Sequence, residues 1–129
     1  LKNLYFFSLE YEHILNIDKF NSKNLYNLHF SLLPNYRGCH TNYYQIRDGE
    51  INTGVTIHYI DKGIDTGDII DNIKYKIGIN DTAYDNYQKL LKYLLILFKK
   101  NLKKILQNKH KRTKQNLKKG SYFNRKSIN

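Results

Sequence analysis

Asn27-Leu28-His29-Phe30-Ser31-Leu32-Leu33-Pro34-Asn35-Tyr36-Arg37-Gly38 begins as an apolar strand pattern and breaks into a loop marked by proline and glycine. Residues i and i+2 of a strand emerge on one face, so Asn27 and His29 bring an amide and an imidazole into the same space. Pro34 and Gly38 shape the loop, Gly38 by reaching backbone angles that a Cβ disfavours. The Ser31 hydroxyl is placed to bond that loop's backbone. Arg37 offers its guanidinium either to a substrate phosphate or to solvent.

Toward the N-terminus, residues 4–9 form a continuous apolar run, the composition of a strand covered on both faces in a parallel sheet. Residues 10–20 carry Ile14, Leu15, Ile17 and Phe20 at loosely helical spacing and predict a short connecting helix; residues 25–30 predict the second strand. Toward the C-terminus, residues 41–47 predict a short helix capped by Thr41 and ended at the Asp48-Gly49 turn. Residues 54–60 are dense in β-branched side chains and give the clearest strand pattern. The loop at 61–68 holds two glycines and three carboxylates, and strand character resumes over 69–77. That loop does not have calcium-loop spacing, because Gly63 stands where a ligand is required. No metal is expected, and the carboxylates read by themselves as solvated or as caps on backbone amides. His58 reads as a structural strand residue, and the adjacent Cys39 and His40 as incidental.

From residue 81 the period becomes helical. Asp81 or Thr82 caps, Asp85 completes a capping box with Thr82, and Tyr84, Tyr87, Leu91, Leu94, Phe98, Leu102 and Ile105 recur at intervals of three and four as the face expected on the sheet. Lys89, Lys92, Lys99, Lys100, Lys103 and Lys104 give the helix a basic side. Residues 107–129 lack apolar periodicity and carry eight cations without a carboxylate. They read as a basic tail able to follow a phosphate backbone, although no recognised nucleic-acid motif is present.

A chain of 129 residues is one domain's worth. A formal charge of +11 and a pI near 9.6 favour anionic partners such as nucleic acid, anionic lipid or a phosphorylated substrate. A single cysteine excludes an internal disulfide framework and suits a reducing, cytoplasmic setting. The absence of methionine reads as a fragment or a processed product. The apolar stretch at 90–98 is interrupted by Lys92 and falls short of the roughly 20 residues that span a bilayer.

Four blocks carry a resemblance: Asn27-Leu28-His29-Phe30-Ser31-Leu32-Leu33-Pro34, Tyr36-Arg37-Gly38, Gly54-Val55-Thr56-Ile57-His58, and Asp61-Lys62-Gly63-Ile64-Asp65-Thr66-Gly67. In order and spacing they resemble the folate-dependent formyltransferases, which include glycinamide ribonucleotide transformylase, methionyl-tRNA formyltransferase and the sugar N-formyltransferases. Gly120-Ser121-Tyr122 with Arg125 is similar to a segment that follows the domain in the sugar-modifying members.

The resemblance implies an α/β, Rossmann-like formyltransferase domain. Residues 1–107 would be its C-terminal part, with a mostly parallel sheet and a long amphipathic C-terminal helix, and residues 108–129 a basic tail or loop-rich extension. It implies transfer of a formyl group from 10-formyltetrahydrofolate to a primary amine, without a metal. Asn27, His29 and Asp65 would be catalytic; Ser8, Leu9, Asp61, Gly63, Thr66 and Gly67 would bind the folate co-substrate; Ser31, Arg37 and Gly38 would bind the acceptor. The chemistry fits, since an amide N–H and an imidazole stabilise a developing oxyanion and a carboxylate takes the amine's proton.

The run Tyr36-Arg37-Gly38-Cys39-His40-Thr41-Asn42-Tyr43-Tyr44 is most similar to members acting on nucleotide-linked amino sugars. Methionyl-tRNA and glycinamide ribonucleotide are the alternative acceptors, and a non-catalytic remnant or a basic nucleic-acid-binding module are the alternative classes. A homodimer is compatible with this reading, and nucleic acid would be reached only through the tail. Family members begin with further strands and a glycine-rich first loop, so this chain is expected to start at the fourth strand, to be poorly active alone, and to lose nothing of formyl transfer if the tail is removed.

Overall fold

The computed structural model describes residues 4–10 and 14–127. Its elements in chain order are β1 (Phe6–Leu9), β2 (Leu25–His29), β3 (Arg37–Gly38), α1 (Thr41–Arg47), β4 (Asn52–Tyr59), β5 (Ile69–Lys76), α2 (Ala83–Leu106) and β6 (Tyr122–Phe123). Single helical turns stand at Ile17–Lys19, Leu117–Lys119 and Arg125–Ser127. The helix expected over 10–20 is reduced to the first of these turns, with residues 11–13 outside the described residues.

The main sheet has the order β1-β2-β4-β5. β1 and β2 run parallel, as the apolar run at 4–9 implies, whereas β2 with β4 and β4 with β5 are antiparallel. The sheet is therefore mixed, with one parallel pairing among its three, rather than mostly parallel. The reason lies in the connection after β4, which is too short for a crossover helix and folds back as a hairpin closed by the Tyr59 amide donating to the Asp68 carbonyl at 2.9 Å.

Strand alternation divides the chemistry between two faces. Tyr26, Leu28, Val55 and Ile57 turn toward α2 and bury completely with Leu90, Leu94 and Leu97. The intervening Asn27, His29, Thr56 and His58 are thereby placed on the opposite face. A register shift between Ile57 and His58 interrupts the β4–β5 ladder at the border of the site, the kind of irregularity that re-aims a side chain.

α2 opens with the expected capping box: Thr82 Oγ1 accepts from the Asp85 amide, and Asp85 accepts from the Thr82 amide. Its inner face is Asn86, Leu90, Leu94, Leu97, Asn101 and Ile105. The expected stripe shared only Leu94 and Ile105 with it, and Tyr84, Tyr87 and Leu91 stay exposed. Two apolar stripes adjoin on this helix, and the inner one is disguised by its asparagines. Asn86 donates to Gln45 Oε1 at 2.9 Å, and Asn101 donates to Asp71 at 2.9 Å, so both are buried at satisfied positions. α1 spans the expected residues, but its N-cap position is His40, in the left-handed region at φ 57°, and Thr41 is already helical.

Residues 107–127 return across the body. Thr113 exchanges both backbone bonds with Ile69, at 2.7 and 2.8 Å, and β6 pairs in parallel with β3.

Candidate active site

Asp65 stands where the loops converge. Its Oδ1 accepts from Asn27 Nδ2 at 3.1 Å, its Oδ2 accepts from the Gly38 amide at 2.9 Å, and its Oδ2 lies 3.5 Å from His29 Nδ1. Asn27 and His29 come from β2, Gly38 from β3 and Asp65 from the β4–β5 loop, so three segments meet on one carboxylate. Asp65 holds φ 54°, a left-handed conformation that aspartate tolerates better than most residues. Two contacts secure it there. Gln115 Nε2 donates to the carbonyls of Asp65 and Gly67 at 3.0 and 2.6 Å, and Gly67 lies so close to β4 that a Cβ would stand 1.7 Å from the Tyr59 carbonyl oxygen.

Ring partners fix one proton on each histidine. His58 Nδ1 is 2.8 Å from the Tyr59 carbonyl, which only accepts, so Nδ1 donates, and Nε2 lies 3.2 Å from Asn27 Nδ2 and 3.5 Å from Asp65 Oδ1. By the same reasoning His29 Nε2 donates to the Tyr36 carbonyl at 2.7 Å, leaving Nδ1 toward Asp65 and Glu10. Burial pulls the His29 pKa down, yet the charges of Asp65 and Glu10 outweigh it and hold the imidazole above its ordinary 6.5. Burial likewise opposes ionisation of Asp65, but the His29 and His58 rings and the Gly38 amide hold it well below the usual carboxylate range.

A cavity of about 290 Å³ opens on this cluster. Asn27, His58 and Asp65 form part of its wall with Gly38, Cys39 and Ser8, and Ile14, Leu15, Ile60 and Ile64 supply apolar surface. Asn27 Oδ1 is buried without a hydrogen-bond partner among the described residues. Such an oxygen offers a ligand's donor an acceptor to meet. Apolar walls beside a compact polar group are the make-up of a small-molecule site.

Of the other residues singled out in the sequence, Ser8, Asp61, Gly63 and Thr66 line the cavity. Leu9, half exposed at the end of β1, does not, nor does Gly67. Ser31 is fully buried and donates to the Asn35 carbonyl at 2.6 Å, holding the loop rather than facing the cavity. Arg37 also lies off the cavity wall, with its Nε buried and unpartnered among the described residues. Gly38 lines the cavity with φ 101°, and a Cβ there would meet the Phe123 carbonyl oxygen at 2.0 Å.

Further residues that sequence reasoning did not assign to the site lie at the cavity or its polar cluster: His58, which it read as structural, Cys39, which it read as incidental, and Gln115, Glu10 and Tyr122. For His58 a signal was present: it stands two residues from Thr56, on the strand face that β2 devotes to Asn27 and His29. Gln115 is 50 positions from Asp65 and left no local mark.

The family model described as "Formyl transferase" matches residues 13–102. Over 107 residues the chain is 40% identical to the bifunctional polymyxin resistance protein ArnA of Wigglesworthia glossinidia brevipalpis, covering 83% of this chain and 16% of that protein. It is 44% identical to the methionyl-tRNA formyltransferase of Halothermothrix orenii over 74% of this chain and 30% of the relative. Among solved structures, the N-formyltransferase of Helicobacter canadensis, in complex with folinic acid and dTDP-3-aminofucose, superposes with a TM-score of 0.97 and 49% identity over 100% of this chain and 48% of that one. The formyltransferase PseJ of Anoxybacillus kamchatkensis, in complex with UDP-4,6-dideoxy-4-formamido-L-AltNAc and tetrahydrofolate, gives 0.85 at 34% identity, over 98% of this chain and 67% of that one. The chain thus spans less than half the length of most of these proteins.

Proposed function

The chain belongs to the formyl transferase family, and we propose that its Asn27, His29 and Asp65 centre serves transfer of a formyl group from 10-formyltetrahydrofolate to a primary amine, the acceptor being a nucleotide-linked amino sugar. The observation that carries this reading is the Asp65 carboxylate, held ionised by His29 and bonded to Asn27 at the wall of a partly apolar cavity. The solved relatives with folate derivatives and amino-sugar nucleotides support the choice of acceptor, whereas the methionyl-tRNA formyltransferases among the relatives support the alternative acceptor.

Bound 10-formyltetrahydrofolate would supply an electrophilic formyl carbon. Within the chain, an Asn27 N–H released from Asp65 or His58 turns toward developing negative charge on oxygen, with the protonated His29 close behind to favour it electrostatically. Asp65 orients the incoming amine and takes its proton as the amine nitrogen bonds the formyl carbon; the bond from that carbon to the folate nitrogen would then break, and the nitrogen would leave with the proton as tetrahydrofolate. Asn27 Oδ1 accepts from that amine and thereby gains the partner it lacks. Ser8, Asp61, Gly63 and Thr66, which line the cavity, would hold the co-substrate.

Purified protein from a reading frame that contains this chain should form tetrahydrofolate from 10-formyltetrahydrofolate when a dTDP- or UDP-linked amino sugar is added. Asp65→Asn should lower kcat by about 10²- to 10⁴-fold. Turnover with methionyl-tRNA or glycinamide ribonucleotide but with no amino sugar would replace the acceptor assignment. Folate binding with no turnover on any amine would favour the non-catalytic reading.

A further inference from the structure

Glu10 ends β1 at φ 54°, a backbone angle unusual for a residue with a side chain. Its Oε1 accepts from the Phe30 amide at 2.9 Å and stands 3.6 Å from His29 Nδ1. The same Nδ1 lies 3.5 Å from Asp65 Oδ2. Since Nε2 spends its proton on the Tyr36 carbonyl, a neutral His29 would present its lone pair to two carboxylate oxygens at once. That arrangement is repulsive on both sides, and a proton on Nδ1 makes it attractive on both.

We infer that Glu10 is a positioning residue of the transfer centre, a second carboxylate that acts with Asp65 to keep the Nδ1 proton on His29. The inference rests on the reading of His29 and Asp65 as part of that centre. The charged or titratable groups acting on the ring from the elements packed around it are Glu10 at the end of β1, Asp65 from the β4–β5 loop and His58 from β4, whose ring centroid is 6.5 Å away. The two carboxylates flanking one imidazole are unequal: the Asp65 side chain is 12% exposed and that of Glu10 38%, and desolvation pushes the Glu10 carboxyl above its ordinary range against the pull of His29 and the Phe30 amide. Asp65 remains the ionised member, available to an amine, while Glu10 sets how firmly the ring stays cationic behind it. The surrounding backbone supports this division, because Phe30, which fixes Glu10, is the next residue after His29.

The test reads protonation directly and needs neither folate nor turnover. In an imidazole-resolved NMR titration, Glu10→Gln, which keeps an oxygen for the Phe30 amide and removes only the charge, should lower the His29 pKa by at least about one unit. Glu10→Asp should recover part of that shift. In the parent chain, the Glu10 side-chain carboxyl carbon should show an inflection at the pH where His29 titrates, a readout that requires no substitution. A His29 pKa unchanged in Glu10→Gln, or a Glu10 carboxyl carbon blind to the His29 titration, would overturn the inference. Either result would leave the formyl-transfer proposal to its own assay.

Discussion

His29 and Asp65 bind their protons oppositely in the fold, and the pair therefore imposes a window on stability. Asp65 is depressed below its ordinary 3.8, so its contribution is present above that value and is lost as pH falls through the folded pKa. His29 is raised above 6.5, so its contribution is complete below that value and is lost as pH rises through the folded pKa. Asp71 and Asp81 are also depressed, Asp71 mainly by Asn101, its neighbouring amide and Lys100 against the effect of burial, and Asp81 by Lys89. They add to the acid limb, which makes the parent curve alone insufficient to isolate the pair. Glu10 is raised above its ordinary 4.5, so its contribution is present below that value and declines as pH rises through its folded pKa; thermal melts across pH 3 to 9 should therefore give the parent a gently sloping plateau between about pH 4 and 6.5. Asp65→Asn should lower that plateau by roughly 3–5 kcal/mol, the usual consequence of leaving one buried partner behind, and should flatten both limbs. Parallel curves for parent and variant would show that the two groups are not coupled.

At the scale of elements, the segment after α2 does more than the basic composition of residues 107–129 suggests. Its eight cations and missing apolar period describe a tail, yet Arg37 and Cys39 donate backbone bonds to Ser121 and Phe123 at 2.9 Å, Ser121 donates to the Pro34 carbonyl at 3.2 Å, and Phe123 stacks on Tyr44 at 4.2 Å. The strap thus holds the loop bearing Gly38 while Gln115 holds the loop bearing Asp65. Ending the chain after residue 109 should cause cooperative loss of stability in urea and abolish turnover, against the sequence-based expectation that removing the tail is harmless to transfer. Unchanged urea midpoints and unchanged turnover would show that the strap is dispensable. Gln115→Ala, which removes two bonds at one point, should lower stability by about 1–3 kcal/mol. The Asn27 and His29 pair on β2 and the capping box of α2 were readable because they depend on spacings of two and three residues. The strap was not, because its partners lie 44 positions away for Thr113 with Ile69 and up to 87 for Ser121 with Pro34, and its own residues carry no period.

For the whole molecule, the α/β class, the four strands of the main sheet and the long final helix were legible in the sequence, and the two antiparallel pairings were not. Apolar runs report burial on both faces, while direction is fixed by how the chain returns, as the hairpin between β4 and β5 shows. The charge of +11 is the remaining property that belongs to the entire chain. The exposed ion pairs, such as Lys100 with Asp71 at 3.3 Å and Arg112 with Asp68 at 2.7 Å, contribute about 0–1 kcal/mol each and weaken as salt is added. Repulsion among the unmatched cations acts in the opposite sense. Which wins is decided by range: the Debye length falls from about 30 Å at 0.01 M to about 8 Å at 0.15 M, and a chain of this size has a radius of gyration near 14 Å. At the lower salt every cation senses the others across the molecule, and at the higher one only neighbours interact. Screening should therefore remove more repulsion than attraction, and Tm should rise between 0.01 and 0.15 M sodium chloride at pH 6. A Tm that falls over this interval in calorimetry would show instead that local ion pairs dominate the electrostatics of the fold.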